Sequence, residues 1–491
     1  MKKALVYRLL LFLYCEKTES ERSRNMQTQL DILNRAINEW IPDERPVSQA
    51  PQAKELAAKL DLALADEGGS QEELEAAIKA YLHYNPDVAQ PDFFKLLYSG
   101  QNKTAVLGDW ITSLSNATMH TYQVGPVATL MEMELIRQWN KLVGFDEGEG
   151  VMVAGGSQAN LIAMMLARHH ACPDIKTEGL KGRTLVAYTS DQAHYSAEKA
   201  ANVLGIGSNN LVAVASDEDG RMLPEALDAE IEKSLAASHI PFFIGLTAGT
   251  TVVGAYDPVE ACAEVAKKHN VWLHIDGAWG GPILFSEQHR HNVAGSQLAD
   301  SFTWDAHKLM NVPITAAVIL VKHKGALKAT CSGGGGEYLF HEDENAAYNL
   351  GERSIQCGRR ADALKVWLSW KEMGNQGFAA KIDKLQQIRK QCVEMVEGRD
   401  NLQMLAPAVY LNVLFRYEPQ HIQGEEAIRQ LNIRICKTMM AEGNAYVDYA
   451  RFKGRTGIRL ILANGEVSHD DLQRLLDNVQ RIGRELDQPA D

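Results

Sequence analysis

The sequence lacks any run of about 20 apolar residues, the length a membrane-crossing helix needs. Its apolar N-terminal run, Ala4 to Cys15, is too short for that, and Arg8 interrupts it. No small-x-small cleavage site follows before the charged stretch Glu16 to Arg22, so the run does not read as a signal peptide. The seven cysteines (Cys15, Cys172, Cys262, Cys331, Cys357, Cys392 and Cys436) form no CxxC pair. No histidines cluster at metal spacing either, which excludes a zinc site and a disulfide frame and predicts reduced thiols and a cytoplasmic location. Basic surplus is also missing: the net charge of −13 argues against nucleic acid and anionic membrane as partners. There are no internal repeats, and Ser332 to Gly336 is the one conspicuous flexible run.

What is present is ordinary for a globular protein: 45% hydrophobic and 23% charged residues. A chain of 491 residues is too long for one core, which predicts a large domain with smaller ones attached. Residues 1–25 read as an extension outside the core. Residues 26–95 read as a helical N-terminal segment, with a Ser-x-x-Glu cap at Ser70 and Glu73 and breaks at Pro86 and Pro91. Such a segment cannot bury its apolar faces alone, so a partner surface is expected.

Across residues 96–370 short apolar strands alternate with helices. The strands fall at Gly150–Ala154, Thr184–Tyr188, Leu211–Ala215, Phe242–Thr247, Val271–Asp276, Ser301–Trp304 and Ala316–Val321. Helices at Asn160–His169, Ser196–Val203, Pro224–Ala236 and Pro258–His269 separate the earlier ones. This alternation predicts an α/β architecture, a mainly parallel sheet with helices on both faces and functional residues at the strands' carboxyl ends. Residues 371–491 read as a small α+β domain.

The stretch from Val271 to Lys308 carries the chemistry. Val271-Trp272-Leu273-His274-Ile275-Asp276 delivers a carboxylate at a strand end, and Asp305-Ala306-His307-Lys308 follows a second strand with a lysine. A lysine for a Schiff base and a carboxylate for a pyridine nitrogen suit pyridoxal phosphate. Either residue alone reads as well as a strand cap or a surface lysine. Upstream, Gly155-Gly156-Ser157-Gln158 opens a helix and suits a phosphate or a plain cap. It has the spacing of neither a dinucleotide fingerprint nor a P-loop. His194 ends a strand, where an imidazole stacks on a flat ring or only hydrogen-bonds, and Thr251 contacts a ring substituent or shapes a turn.

Gly-Gly-Ser-Gln-Ala-Asn, the His194 segment, Thr247-Ala248-Gly249-Thr250-Thr251, His274-Ile275-Asp276-Gly277-Ala278-Trp279-Gly280-Gly281 and Asp305-Ala306-His307-Lys308 stand in the order and spacing of the group II pyridoxal-phosphate decarboxylases. Thr121 to Val127, Leu204 to Gly207 and Ile355 to Trp367 resemble the glutamate and cysteine-sulfinate branch. The resemblance implies the fold type I, aspartate-aminotransferase-like architecture and an active site at the interface of a homodimer. It makes Lys308 the Schiff-base lysine, Asp276 the pyridine-nitrogen partner and His194 the stacking imidazole, with Ala278 on the other ring face. It places Ser157 and Gln158 at the phosphate, His307 nearby, and Thr251 just behind the ring. Arg459 matches the arginine that grips the substrate carboxylate; read from its strand alone, it is a surface ion-pairing residue.

Three departures from the family pattern bear on function. Related enzymes usually carry Asn where Asp305 stands, and a carboxylate beside a phosphate is repulsive, so Asp305 is expected to point away or be protonated. The loop from Tyr338 to Gln356 is about two residues shorter than in the mammalian enzymes. Tyr348 is then the nearest candidate for the tyrosine that protonates Cα, with Glu344 closer by count. Thr118 and His120 lie where the branch reads the substrate side chain, and His120 is expected to meet a distal carboxylate or sulfinate. The resemblance implies decarboxylation of glutamate, cysteine sulfinate or aspartate. Decarboxylation of 2,4-diaminobutyrate or an aromatic amino acid, or diversion to transamination or an oxidative side reaction, are the alternatives.

Overall fold

The computed structural model describes residues 26–40, 46–48, 51–333, 336, 338–341 and 343–487. The expected extension, residues 1–25, lies outside the described residues. The chain divides into two units, Met1–Asp87 and Val88–Asp491.

In the first unit residues 26–40 are helical, followed by helices Ala53–Lys59 and Gln71–Tyr84. The Ser70 box closes: Ser70 Oγ accepts from Glu73 N–H at 3.2 Å and the Glu73 carboxylate accepts from Ser70 N–H at 2.6 Å. Ile32, Ala36 and Val47 are buried, yet Leu30, Leu33, Leu74, Ile78 and Tyr81 stay exposed. These side chains leave apolar surface on the unit.

The second unit is built on a seven-stranded sheet: β1 Glu149–Val153, β2 Leu185–Ser190, β3 Leu211–Val214, β4 Ile240–Thr247, β5 Trp272–Asp276, β6 Ser301–Asp305 and β7 Ala317–Val321. The spatial order is β1-β7-β6-β5-β4-β2-β3. From β3 to β6 all pairs are parallel, while β7 runs antiparallel to both β6 and β1. Period-two alternation builds an apolar core on each face. Val151, Val153, Leu185, Ala187, Ile319 and Val321 pack to one side. Met152, Val186, Tyr188, Val318 and Leu320 pack to the other. Helices cover both faces, as predicted. Thr247, Asp276 and Asp305 are the last residues of β4, β5 and β6, so three neighbouring strands deliver polar side chains to one edge.

A helical segment, Ala363–Glu397, follows, broken at Gly374, whose φ is 60°. It runs through residue 370, where the smaller domain was expected to begin. Beyond it, β8 Leu402–Met404, β9 Asn412–Tyr417, β10 Asp448–Phe452 and β11 Arg455–Ile461 form an antiparallel sheet in the order β10-β11-β9-β8. Helices Glu425–Ala441 and His469–Leu486 accompany it. The sequence pattern does not reveal β8 or β10: the first has three residues, and the second is a half-exposed edge strand. Among the described residues, no helix is long and apolar enough to cross a membrane.

Candidate active site

Asp276 ends β5 with both oxygens engaged. Oδ2 accepts from the Asn160 side-chain amide at 2.7 Å, and Oδ1 accepts from Ala278 N–H at 3.1 Å. That second bond closes the turn after the strand and puts the buried Ala278 beside the carboxylate. Asn160 lies on the helix Gly156–Ala171 and is itself held by Thr303 of β6, whose hydroxyl donates to its oxygen at 2.8 Å. His274 Nε2 lies 3.1 Å from the same oxygen. Burial pushes the His274 imidazole down to about 4, so it is neutral at physiological pH.

Lys308 follows β6 on a tight turn, and its Nζ lies 3.1 Å from Asp305 Oδ2. Asp305 is 2% exposed, and among the described residues its Oδ1 has no partner. Its carboxylate turns inward, toward Lys308 and the helix start at Gly156. His307 holds Ala316 O at 2.9 Å through Nδ1, while its Nε2 lies 3.7 Å from Asp305. A Cβ at Gly156 would sit 2.7 Å from the Asp305 carboxylate, so only glycine lets β6 approach the helix start this closely.

At that helix start Gly155 takes φ 135°, open to a non-glycine residue only under strain. A Cβ added there would meet no atom within 4 Å beyond its chain neighbours. Gln158 folds its side-chain oxygen back onto Ala154 N–H at 2.7 Å, closing the turn. Ser157 remains exposed there. The start of a 16-residue helix with open space and a hydroxyl fits a phosphate. His194, after β2, accepts from Ser196 N–H at 3.3 Å and lies half-buried. Burial lowers its proton affinity, and the Asp276 charge opposes that shift.

Arg459 of β11 is 8% exposed. Its guanidinium donates to Thr251 O at 3.1 Å and to Lys95 O at 2.8 Å, and among the described residues its Nε has no partner. Among the described residues it pairs with no carboxylate, unlike the surface ion pair a strand arginine suggests. Burial lowers its pKa. The Thr251 carbonyl is also held by Asn412 at 3.0 Å, so Thr251 acts here through its backbone.

Thr118, His120 and Tyr348 gather elsewhere in the chain. Thr118 Oγ1 accepts from Arg359 N–H at 3.2 Å. The His120 ring lies 4.8 Å from that of Phe340, and its Nε2 lies 3.8 Å from Cys357 Sγ. Among the described residues its Nδ1 has no partner. Burial and then the Arg359 charge lower its basicity, partly opposed by a hydrogen bond at Cys357. Tyr348 packs its ring 5.3 Å from Tyr122. Among the described residues no hydrogen bond or ring contact joins this group to Lys308. Sequence reading missed Asn160, Thr303 and His274 as parts of the site. The available signal was an amide in the apolar helical run Ala159-Asn160-Leu161-Ile162-Ala163-Met164. Asp228, Glu232 and His269 form a cluster of metal-ligand types, but Lys268 already pairs with it at 2.8 Å.

A parallel sheet carrying a carboxylate at one strand end, a lysine after the next and a glycine-opened helix beside both defines a fold type I pyridoxal-phosphate enzyme. The residues present fit that cofactor: an oriented acceptor for its ring nitrogen, an amine for its aldehyde and a helix start for its phosphate. Residues 53–418 match the pyridoxal-dependent decarboxylase conserved domain, and the chain belongs to that family of amino-acid decarboxylases. It is 35% identical over 466 residues to the cysteine sulfinic acid decarboxylase of Homo sapiens, covering 93% of this chain and 94% of the relative. It is 34% identical over 482 residues to the acidic amino acid decarboxylase GADL1 of Mus musculus, covering 96% and 86%. The crystal structure of mouse CSAD superposes with a TM-score of 0.90 at 33% identity, over 94% of this chain and 99% of that one.

Proposed function

We propose that the chain catalyses α-decarboxylation of an acidic L-amino acid (cysteine sulfinate, glutamate or aspartate), releasing the corresponding amine and carbon dioxide. The names of its relatives support that substrate class. One observation carries the site assignment: Arg459 is a buried guanidinium with an unpartnered Nε and backbone carbonyls as its acceptors. A buried cation left so is costly unless an anion completes it, and a substrate carboxylate would do so.

In this reading Lys308 would hold the cofactor's aldehyde carbon, and Asp276 would accept from its ring nitrogen. His194 and Ala278 would flank the ring, while Ser157, Gln158 and the helix start, with His307 nearby, would hold the phosphate. Thr251 would stand behind the ring through its backbone. When bound, the cofactor supplies an electron sink for the pair left on Cα as carbon dioxide departs. Arg459 would set the carboxylate perpendicular to the ring, a positioning effect that aligns the breaking bond with the sink. Tyr348 Oη would return a proton to Cα. His120, neutral by burial, would read the distal acid by hydrogen bonding rather than by charge, with Thr118 holding the adjoining Arg359 backbone.

The His120 group would complete the site across the interface of a homodimer. Leu107, Trp110, Ile111 and Leu114 support a second copy as the partner: they form an exposed apolar stripe at helical spacing on Lys103–Ser115. Val124, Val127 and Leu130 are exposed as well. The unpaired state of the described cysteines supports a reducing compartment, the cytoplasm. The test is carbon dioxide release by cofactor-loaded protein from glutamate, cysteine sulfinate, aspartate, 2,4-diaminobutyrate and an aromatic amino acid. Selective turnover of one acidic substrate is expected. Preference for the cationic or aromatic substrate overturns the substrate class.

A further inference from the structure

Asp276 is held by a chain of hydrogen-bonded groups that runs back to Trp272. Trp272 Nε1, a donor only, gives its proton to Ser301 Oγ at 2.9 Å. His274 Nδ1 lies 2.9 Å from the Ser301 hydroxyl, and its Nε2 lies 3.1 Å from Asn160 Oδ1 and 3.3 Å from Thr303 Oγ1. Thr303 donates to Asn160 Oδ1 at 2.8 Å. A carboxylate only accepts, so the Asn160 amide turns its NH2 to Asp276 and its oxygen to Thr303 and His274. Its two N–H bonds then point to Asp276 Oδ2 at 2.7 Å and Ser196 Oγ at 2.9 Å. Asn160 has all its hydrogen-bonding capacity in use, and only one of those bonds reaches a charge.

We propose that Asn160, clamped by Thr303 and His274, is the positioning residue that orients Asp276 toward the cofactor's ring nitrogen and sets its strength as an acceptor. The inference rests on Asp276 being that nitrogen's partner. A carboxylate robbed of one N–H donor becomes a stronger base and gains rotational freedom. Asn160→Ala therefore alters how tightly the ring proton is shared, without touching the substrate. Thr303→Val removes the hydroxyl that donates to the amide oxygen, and Thr303→Ser restores it.

The experiment titrates pyridoxal phosphate into the full chain and its variants, recording the absorbance of the lysine-bound cofactor against pH beside kcat and KM. Asn160→Ala is expected to raise the cofactor Kd about ten-fold or more, the loss expected for a hydrogen bond to a charged group. It also shifts the pH midpoint of the absorbance, with KM changed by less than about three-fold. Thr303→Val moves both readouts the same way but less, and Thr303→Ser returns them to wild type. Lowered thermal stability with unchanged cofactor Kd and pH midpoint, in Asn160→Ala or in the milder Thr303→Val, makes the network merely structural and overturns the proposal. If wild-type protein takes up no cofactor at Lys308, the underlying assignment fails first and this inference with it.

Discussion

The two carboxylates at the sheet's edge, Asp276 and Asp305, end neighbouring parallel strands and yet are held in opposite ways. Asp276 meets neutral donors, Asn160 and the Ala278 amide, and neither bond needs to change during turnover. Asp305 meets a charge, the Lys308 ammonium, and among the described residues its Oδ1 has no partner. The proposed chemistry takes that ammonium away when Lys308 bonds to the cofactor. One end of the site is thus built to stay and the other to change partners. Burial alone does not decide which; the identity of the partner does.

Replacing Lys308 is the harshest test of this contrast. Lys308→Ala is expected to reduce decarboxylation on the order of a thousand-fold or more, since the covalent anchor is gone. The Asp276 end should survive, so the variant should still bind free cofactor, detectable by absorbance without a borohydride-trapped adduct. Retained turnover would dismantle the whole site assignment.

A milder test probes the fixed end by pH. His274 is neutral in the fold, its pKa lowered from 6.5 to about 4. Between those values the unfolded chain binds the extra proton and the folded chain does not, so stability falls as pH drops from 6.5 toward 4. The shift is worth at most about 3 kcal/mol. Urea melts of the wild type at pH 7 and pH 5 should show part of this loss, and His274→Gln should show less of it. An equal loss in both proteins would remove His274 from the acid response.

The smallest effect is expected at the mobile-charge end. Asp305→Asn should destabilise the cofactor-free chain by about 1–2 kcal/mol, a figure reduced because Lys308 is partly solvated. The same change should tighten cofactor binding, because a carboxylate no longer faces the phosphate site at Gly156. Weaker binding in a direct titration would mean that Asp305 assists the cofactor rather than opposing it.

Much of this was legible without coordinates. The alternation of apolar strands and amphipathic helices specified the order of β1 to β7 in sequence, since period-two and period-3.6 patterns reflect local backbone geometry. Parallel connectivity then put Asp276 and Lys308 on one edge, because side chains at the carboxyl ends of adjacent parallel strands converge. The antiparallel insertion of β7 between β1 and β6 was not legible, nor was the burial of Arg459 against the carbonyls of Lys95 and Thr251. The Asn160 contacts with His274 and Thr303 span 114 and 143 residues of chain. No local pattern encodes a meeting at such separations. Sequence by itself determined which chemical groups this protein owns and which strand ends carry them. Only the tertiary structure decided which groups face each other, because hydrogen-bond direction and burial arise when distant segments pack.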